Sequence, residues 1–359
     1  MNLRLGRDRP RGLLLWALWL AALVSMAAAA ILAPGLALSA WLAAFLGCAA
    51  VPIGSLLLIM SMDVLGGAWR DELRPYLRAG SACVPLLGLF VLPLLLGAGW
   101  LYPWASLPGL TGFKGAYLSL PFFIARGLAY VVLWSCLALL WVRTQEPQPA
   151  RASLGLILMT LTGSLAAVDW GMSIEPAFHS SIYGLMLLGH QALAGLSAAI
   201  ALRLLAAPSA RQGMLCGLLA AGIVAYLYLA AMQYLIIWGG NIPDEVVWYA
   251  RRSEGAWALV PYASLALQLA LPLLILASDL NRRRGLVLAA CGLTLAMRLL
   301  DGLWLTLPAL PAAREAPLTA VALAVAALVA IGLPIGLCLR RLAEPGAMRE
   351  VPAREPAHG

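Results

Sequence analysis

Charge is scarce in this sequence. Only 11% of its 359 residues are Asp, Glu, Lys or Arg, and 63% are apolar. A soluble domain carries about 25% charged and 45–50% apolar residues. The chain therefore cannot cover a water-facing surface with polar side chains, which excludes a soluble enzyme, a disordered chain and a DNA-binding domain. Histidine is limited to His179, His190 and His358. A bis-histidine haem needs axial ligands on facing helices. Here His358 lies in the tail, and His179 and His190 are eleven residues apart. The six cysteines are no closer than 35 residues, each in an apolar run; this is no disulfide framework, redox pair or cluster-binding run, and they read as small buried hydrophobes. No Walker loop, His-Glu-x-x-His motif or dinucleotide fingerprint occurs. No metal site and no covalently bound cofactor is expected.

What the sequence does have is long apolar runs. A spanning helix needs about 20 mostly apolar residues, and ten stretches qualify: 13–32, 38–62, 82–101, 117–142, 154–168, 182–205, 214–238, 256–277, 286–307 and 318–339. The fifth is barely long enough. No alternating ten-residue pattern points to a barrel, so the expected fold is an all-α integral membrane protein of about ten transmembrane helices. Residues 1–340 form one membrane domain, followed by a disordered cytoplasmic tail over 341–359. Arg4, Arg7, Arg9 and Arg11 precede the first run, as in a signal peptide. The run is too long for a secretory apolar region and reads as a retained helix. Gly66-Gly67 reads as a helix stop.

Of the 24 Lys and Arg residues, 18 fall on the side of the two termini and 4 on the other, while Arg126 and Arg298 lie within spans. By the positive-inside rule both termini are cytoplasmic. The pI near 9.5 thus refers to a lipid membrane and not to nucleic acid.

Ionisable groups at membrane depth are expensive and mark sites by default. Arg126 is expected about nine residues into the fourth span from outside, Asp169 at the outer end of the fifth, and His190 near the middle of the sixth. Gln233 falls one turn from the outer end of the seventh span, and Arg298 and Asp301 on one face of the ninth. All gather in the outer half. Each also has a plainer reading: Arg298–Asp301 as an internal ion pair, Arg126 as the counterion of Asp169, and His190 and Gln191 as interhelical hydrogen-bonders. Tyr226 and Gln233 also read as helix contacts. Asp244, Glu245, Arg251, Arg252 and Glu254 read as a solvated or subunit-facing charge run.

The stretch VDWGMSIEPAFHSSIYG (168–184) resembles the loop between helices five and six in a membrane subunit of alternative complex III, the bacterial quinol:cytochrome c oxidoreductase. More narrowly it resembles the smaller of the two large membrane subunits, the ActF type, within the polysulphide-reductase, NrfD-like superfamily. LGGAWRDELR (65–74), KGAYLSLPFFIARGLAY (114–130), QYLIIWGGNIPDE (233–245) and RLLDGLWLTLP (298–308) point the same way. The resemblance implies two four-helix bundles with two flanking helices, in the inner membrane of a bacterium. It implies a complex with a sister NrfD-like subunit, an iron–sulfur subunit and a multihaem cytochrome c subunit, so that haem and iron–sulfur centres sit on partners only and quinone or quinol is the small ligand. Matching residues include Arg126, Asp169, Trp170, Glu175, Tyr183, Gln233, Arg298 and Asp301. Ala177 and Phe178 stand where relatives often carry His and Trp, so no family role passes to His179.

Three functions follow as expectations. In the first, the chain contacts quinone or conducts protons near the periplasmic side, with Asp169, Asp301 and His190 as a proton relay beside a polar pocket of Arg126, Gln233, Arg298, Trp170, Glu175 and Tyr183. In the second, it is a structural subunit that braces the quinol-oxidising sister. In the third, it is an independent transporter, against which no span is visibly broken and no internal repeat is legible.

Overall fold

The computed structural model describes residues 9–106, 111–144, 146–277 and 282–344. No strand occurs among them, and nine helices among them are long and apolar enough to cross a membrane. These are span 1 (Gly12–Leu32), span 2 (Pro34–Leu65), span 3 (Trp69–Leu96), span 4 (Leu120–Arg143), span 5 (Pro149–Ile174), span 6 (Tyr183–Ala206), span 7 (Gln212–Gly240), span 9 (Arg284–Ala309) and span 10 (Pro317–Ala343). Helix Leu259–Ala277, of 19 residues, stands as span 8. The chain is an all-α, multi-pass membrane protein of about ten helices. Residues 345–359 of the expected tail lie outside the described residues, as do Arg4 and Arg7.

Several boundaries differ from the sequence reading, each for a local reason. Span 3 starts at Trp69 and not near residue 82. Gly66 and Gly67 take φ of 68° and 100°, conformations open to glycine, and reverse the chain so tightly that the arginine-rich segment is already helical. Its arginines find partners at that end: Arg70 Nη2 donates to the Met62 carbonyl at 2.9 Å, and Arg74 pairs with the buried Asp63. Span 5 is not marginal. Its α-helix runs 22 residues from Pro149 to Trp170, because Pro at the first helical position is pre-set for a helix start. Span 4 begins at Leu120, with Ser119 extended before it and Pro121 in the first turn, where its missing N–H leaves no bond unmade; the preceding turn forms a separate short helix, Gly112–Tyr117. Arg126 therefore sits six residues into its span, and Gln233 lies two turns, not one, from the end of span 7. Among the cysteines, Cys136 is exposed and Cys338 half-buried, contrary to the reading of all six as buried.

Spans 2–5 pack as one four-helix bundle and spans 6–9 as another. Span 2 joins them by packing on spans 6 and 9. The crossing is a backbone contact: a Cβ built on Gly54 would lie 1.7 Å from the Gln191 carbonyl oxygen, and one on Gly195 2.6 Å from the Ser55 nitrogen. Small residues at such crossings let membrane helices approach where hydrophobic association gives no driving force. Spans 1 and 10 pack on each other and on span 2, with Trp19 Nε1 donating to the Ala330 carbonyl at 3.0 Å.

Candidate functional site

Helix ends are named outer and inner here by the orientation that the arginine count predicts. The buried ionisable side chains at the outer end fall into three groups, one in each bundle and one between them.

In the first bundle, Arg126 grips Asp169 with two parallel bonds, Nε to Oδ2 at 2.9 Å and Nη2 to Oδ1 at 2.8 Å. The Tyr130 hydroxyl donates to Oδ2 at 2.8 Å, and Arg126 Nη1 donates to the Tyr117 carbonyl at 2.9 Å. The guanidinium also lies 3.8 Å from the Tyr117 ring centre. Trp170 packs edge-on against Phe45, Tyr130 and Trp134, with its indole N–H unpaired. Asp169 is fully buried. Bidentate geometry is the strong form of a carboxylate–arginine contact, and every polar atom of the Arg126–Asp169–Tyr130 set has a partner.

In the second bundle, Arg298 and Asp301 stand one turn apart on span 9, with Arg298 Nη2 2.9 Å from Asp301 Oδ2. The contact is close but misaligned, and none of the Arg298 guanidine nitrogens makes a well-formed hydrogen bond although the residue is 1% exposed. The guanidinium instead lies over the Tyr226 ring, 3.7 Å from its centre. Tyr226 donates its hydroxyl to Asp301 Oδ2 at 2.9 Å. His190 Nδ1 is 3.9 Å from the same oxygen, beyond a hydrogen bond, and has no other partner. The Gln233 side chain is wholly buried, and neither its oxygen nor its nitrogen makes an aligned hydrogen bond; Tyr249 is the polar group that faces it. A carboxamide left unpaired in a low-dielectric interior costs roughly 1–3 kcal/mol.

Asp301, Tyr226 and Gln233 line one cavity of about 410 Å³. Trp248, Tyr249 and Trp304 supply aromatic walls, and span 8 contributes Tyr262, Ser264 and Leu265. Behind Ser264, the buried Gln268 donates to its hydroxyl at 2.8 Å. The lining includes Ala231 and Tyr234 on span 7 and Tyr262 and Leu265 on span 8, all exposed at the outer surface of the bundle. The cavity thus opens sideways between spans 7 and 8. A larger groove of about 690 Å³ along spans 6 and 7 is lined by small and aliphatic residues and Tyr228; it lacks polar convergence.

The third group ties the bundles together. Helix Pro243–Arg252, here the roof helix, covers the cavity with Trp248, Tyr249 and Ser253. Its start follows from GGNIPDE: Asn241 ends span 7 in the left-handed region at φ 48°, Pro243 opens the next helix, and Asp244 and Glu245 occupy its first turn. Acidic residues at the start and Arg251 and Arg252 at the end complement the helix dipole. Glu175, from the loop after span 5, takes Arg251 Nη1 at 2.6 Å on one oxygen and Arg252 Nη1 at 2.7 Å on the other. Burial holds the Arg252 guanidinium below the usual arginine range, with the Glu175 carboxylate opposing that shift. Burial also pushes the Tyr249 hydroxyl up to about 12, so it is a neutral donor at physiological pH.

Of the residues singled out from sequence, Asp301 and Gln233 line the cavity. His190 and Arg298 stand behind it, Arg126, Asp169 and Trp170 belong to the other bundle, and Glu175 and Tyr183 lie at the seam, with Tyr183 edge-on to Trp248. The expected single relay through Asp169, His190 and Asp301 is therefore split between two bundles. The supposed solvated charge run is a helix whose Arg252 is 1% exposed. Tyr226 is more than a helix contact, and Trp248, Tyr249, Ser264 and Trp304 were not singled out at all. The roof was legible in principle, since Pro followed by two acids and closing on two arginines is a helix signature.

Among the described residues, no group of three His, Cys, Asp or Glu side chains is placed to hold a metal ion. No family model matches the chain, and a search of curated proteins finds no match.

Proposed function

We propose that this chain is a membrane subunit of a bacterial respiratory quinol:cytochrome c oxidoreductase of the alternative complex III type, and that it takes a quinone or quinol head group in the outer cavity of its second bundle. It lies in the inner membrane with both termini cytoplasmic. Its partners are a sister NrfD-like subunit, an iron–sulfur subunit and a multihaem cytochrome c subunit, which carry the redox centres. The supporting observation is the cavity itself: aromatic walls, a floor of Asp301, Tyr226 and Gln233, and an opening to lipid. Aromatic walls with a few placed polar groups are the usual composition of a small-molecule site, and a lateral opening suits a ligand dissolved in the bilayer better than an aqueous solute.

Quinol oxidation releases two electrons and two protons. The electrons leave to centres on the partner subunits. Asp301 is placed to accept a proton from a ring hydroxyl, with Gln233 and Tyr249 holding the head group. His190 Nδ1, 3.9 Å from the same carboxylate oxygen, stands behind it. The bracing function fits the first bundle, where every polar atom of the Arg126–Asp169–Tyr130 set is already paired.

Replacing Gln233 by Leu tests the reading. It removes a head-group partner while breaking no well-formed hydrogen bond within the chain. Quinol affinity is expected to fall about tenfold, the scale of one hydrogen bond near 1.4 kcal/mol, with subunit abundance unchanged. Unaltered affinity and turnover in the Gln233→Leu complex contradict it.

A further inference from the structure

The roof helix lies between two left-handed residues and is anchored chiefly by Arg252. Asn241 at φ 48° precedes the ten-residue helix and Gly255 at φ 55° follows it. The anchor is Arg252. Its Nη1 donates to the Trp248 carbonyl at 2.8 Å and its Nη2 to the Leu305 carbonyl at 2.6 Å, while its own carbonyl accepts from Trp304 Nε1 at 3.3 Å. The guanidinium lies 3.7 Å from the Trp248 ring centre. Every one of those contacts stays within the second bundle; Glu175 alone adds a charge from the first.

The loop that carries Glu175 is itself fixed. Ser173 Oγ donates to the Asp169 carbonyl at 2.5 Å, Trp104 Nε1 donates to Ser173 Oγ at 3.3 Å, and Lys114 Nζ donates to the Pro176 carbonyl at 2.9 Å. Phe178 stacks on Trp248 with ring centres 5.0 Å apart. The first-bundle end thus reaches across the seam and holds the roof through the buried Glu175 carboxylate and the Phe178 ring.

We propose that Glu175 is a positioning residue for the second-bundle cavity: by pairing at once with Arg251 and Arg252 it keeps the roof helix closed against the outer aqueous phase, so that a ligand enters from lipid and its polar end is held away from water. Neutralising Glu175 leaves Arg252 buried without its counter-charge. Breaking a buried pair in this way is strongly unfavourable, and displacement of the roof helix relieves it by letting water reach Arg252. The proposal rests on the reading of the cavity as the ligand site, but its test reads the roof alone.

The test is thiol labelling in outward-facing membrane vesicles. Ser264, which lines the cavity, is replaced by Cys in a chain lacking Cys136 and Cys338, and a charged, membrane-impermeant maleimide is added. With Glu175 intact, labelling of the introduced thiol is slow. The Glu175→Gln substitution is expected to speed it roughly tenfold or more, while Cys216 and Cys291, buried on spans 7 and 9, stay unlabelled. An unchanged rate overturns the proposal, and so does equal exposure of Cys216 and Cys291, because Glu175 is then a general brace. Arg251→Gln keeps the test decisive if Glu175→Gln fails to accumulate: Arg251 is 35% exposed, and its loss is expected to give a smaller acceleration, with no acceleration overturning the claim. Failure of a short-chain benzoquinone to protect the introduced thiol counts against the quinone reading and leaves the roof result standing.

Discussion

Two arginine–aspartate pairs lie at the outer end of this molecule, and they differ in how well they are satisfied. Arg126 and Asp169 share two aligned hydrogen bonds, with Tyr130 and the Tyr117 carbonyl completing the set. Arg298 meets Asp301 through one misaligned contact and leaves its guanidine N–H groups unmet. A buried ion pair is weak evidence for stability, since desolvation can exceed the attraction; an under-satisfied one beside a cavity is better explained by what it does. In the proposed function the first pair is a brace and the second a working group. Asp169→Asn is expected to destabilise the chain by about 3–5 kcal/mol, seen on blue-native gels as loss of assembled complex. Tyr226→Phe removes only the hydroxyl that donates to Asp301 and keeps the ring under Arg298; it is expected to leave assembly intact and lower quinol turnover. The reverse outcome, with Asp169→Asn assembled and inactive and Tyr226→Phe fully active, moves the chemistry to the first bundle.

At the scale of elements, the decisive contact is the crossing of spans 2 and 6. A methyl group on Gly54 has no room against the Gln191 carbonyl at 1.7 Å, and a backbone oxygen cannot step aside as a flexible side chain does. Gly54→Ala is expected to lower the detergent melting temperature by several degrees, in the way overpacking by one methyl costs about 1–3 kcal/mol. Gly213→Ala, where nothing lies within 4 Å, is expected to leave it unchanged. Equal effects of the two substitutions remove the crossing as the seam. The spans themselves were legible in hydropathy because a membrane helix announces itself through length and apolarity. Their ends were less so: Gly66-Gly67 marked the stop of span 2, yet the charged helix after it was hidden, because arginines that pair with Asp63 and backbone carbonyls look from sequence like a loop. The roof helix carries a helix signature in the same kind of charge, but at ten residues it is too short to show in hydropathy.

Across the whole molecule, the sequence placed Arg126, Asp169, His190, Arg298 and Asp301 towards one end of their spans, and the fold agrees on that end while separating them laterally. Helix depth follows from counting residues along a span. Which bundle a residue faces depends on rotation and on packing between spans distant in sequence, and neither is recoverable from one chain. That is why Asp169 and Asp301 read as one relay from sequence and stand in different bundles, and why Tyr249 and Ser264, ordinary in their own segments, only become informative once spans 7 and 8 enclose them. The resulting account is asymmetric: a first bundle that braces, a second that holds a lipid-borne head group, and Glu175 across the seam.

That asymmetry is tested most directly by photolabelling the complex in native membranes with an azido-quinone and mapping the adducts by mass spectrometry. The account predicts adducts that excess quinone competes away, confined to the cavity segments 226–234, 248–253, 261–265 and 301–305. Competable adducts around Arg126 and Asp169, or on the partner subunits with none on this chain, contradict it.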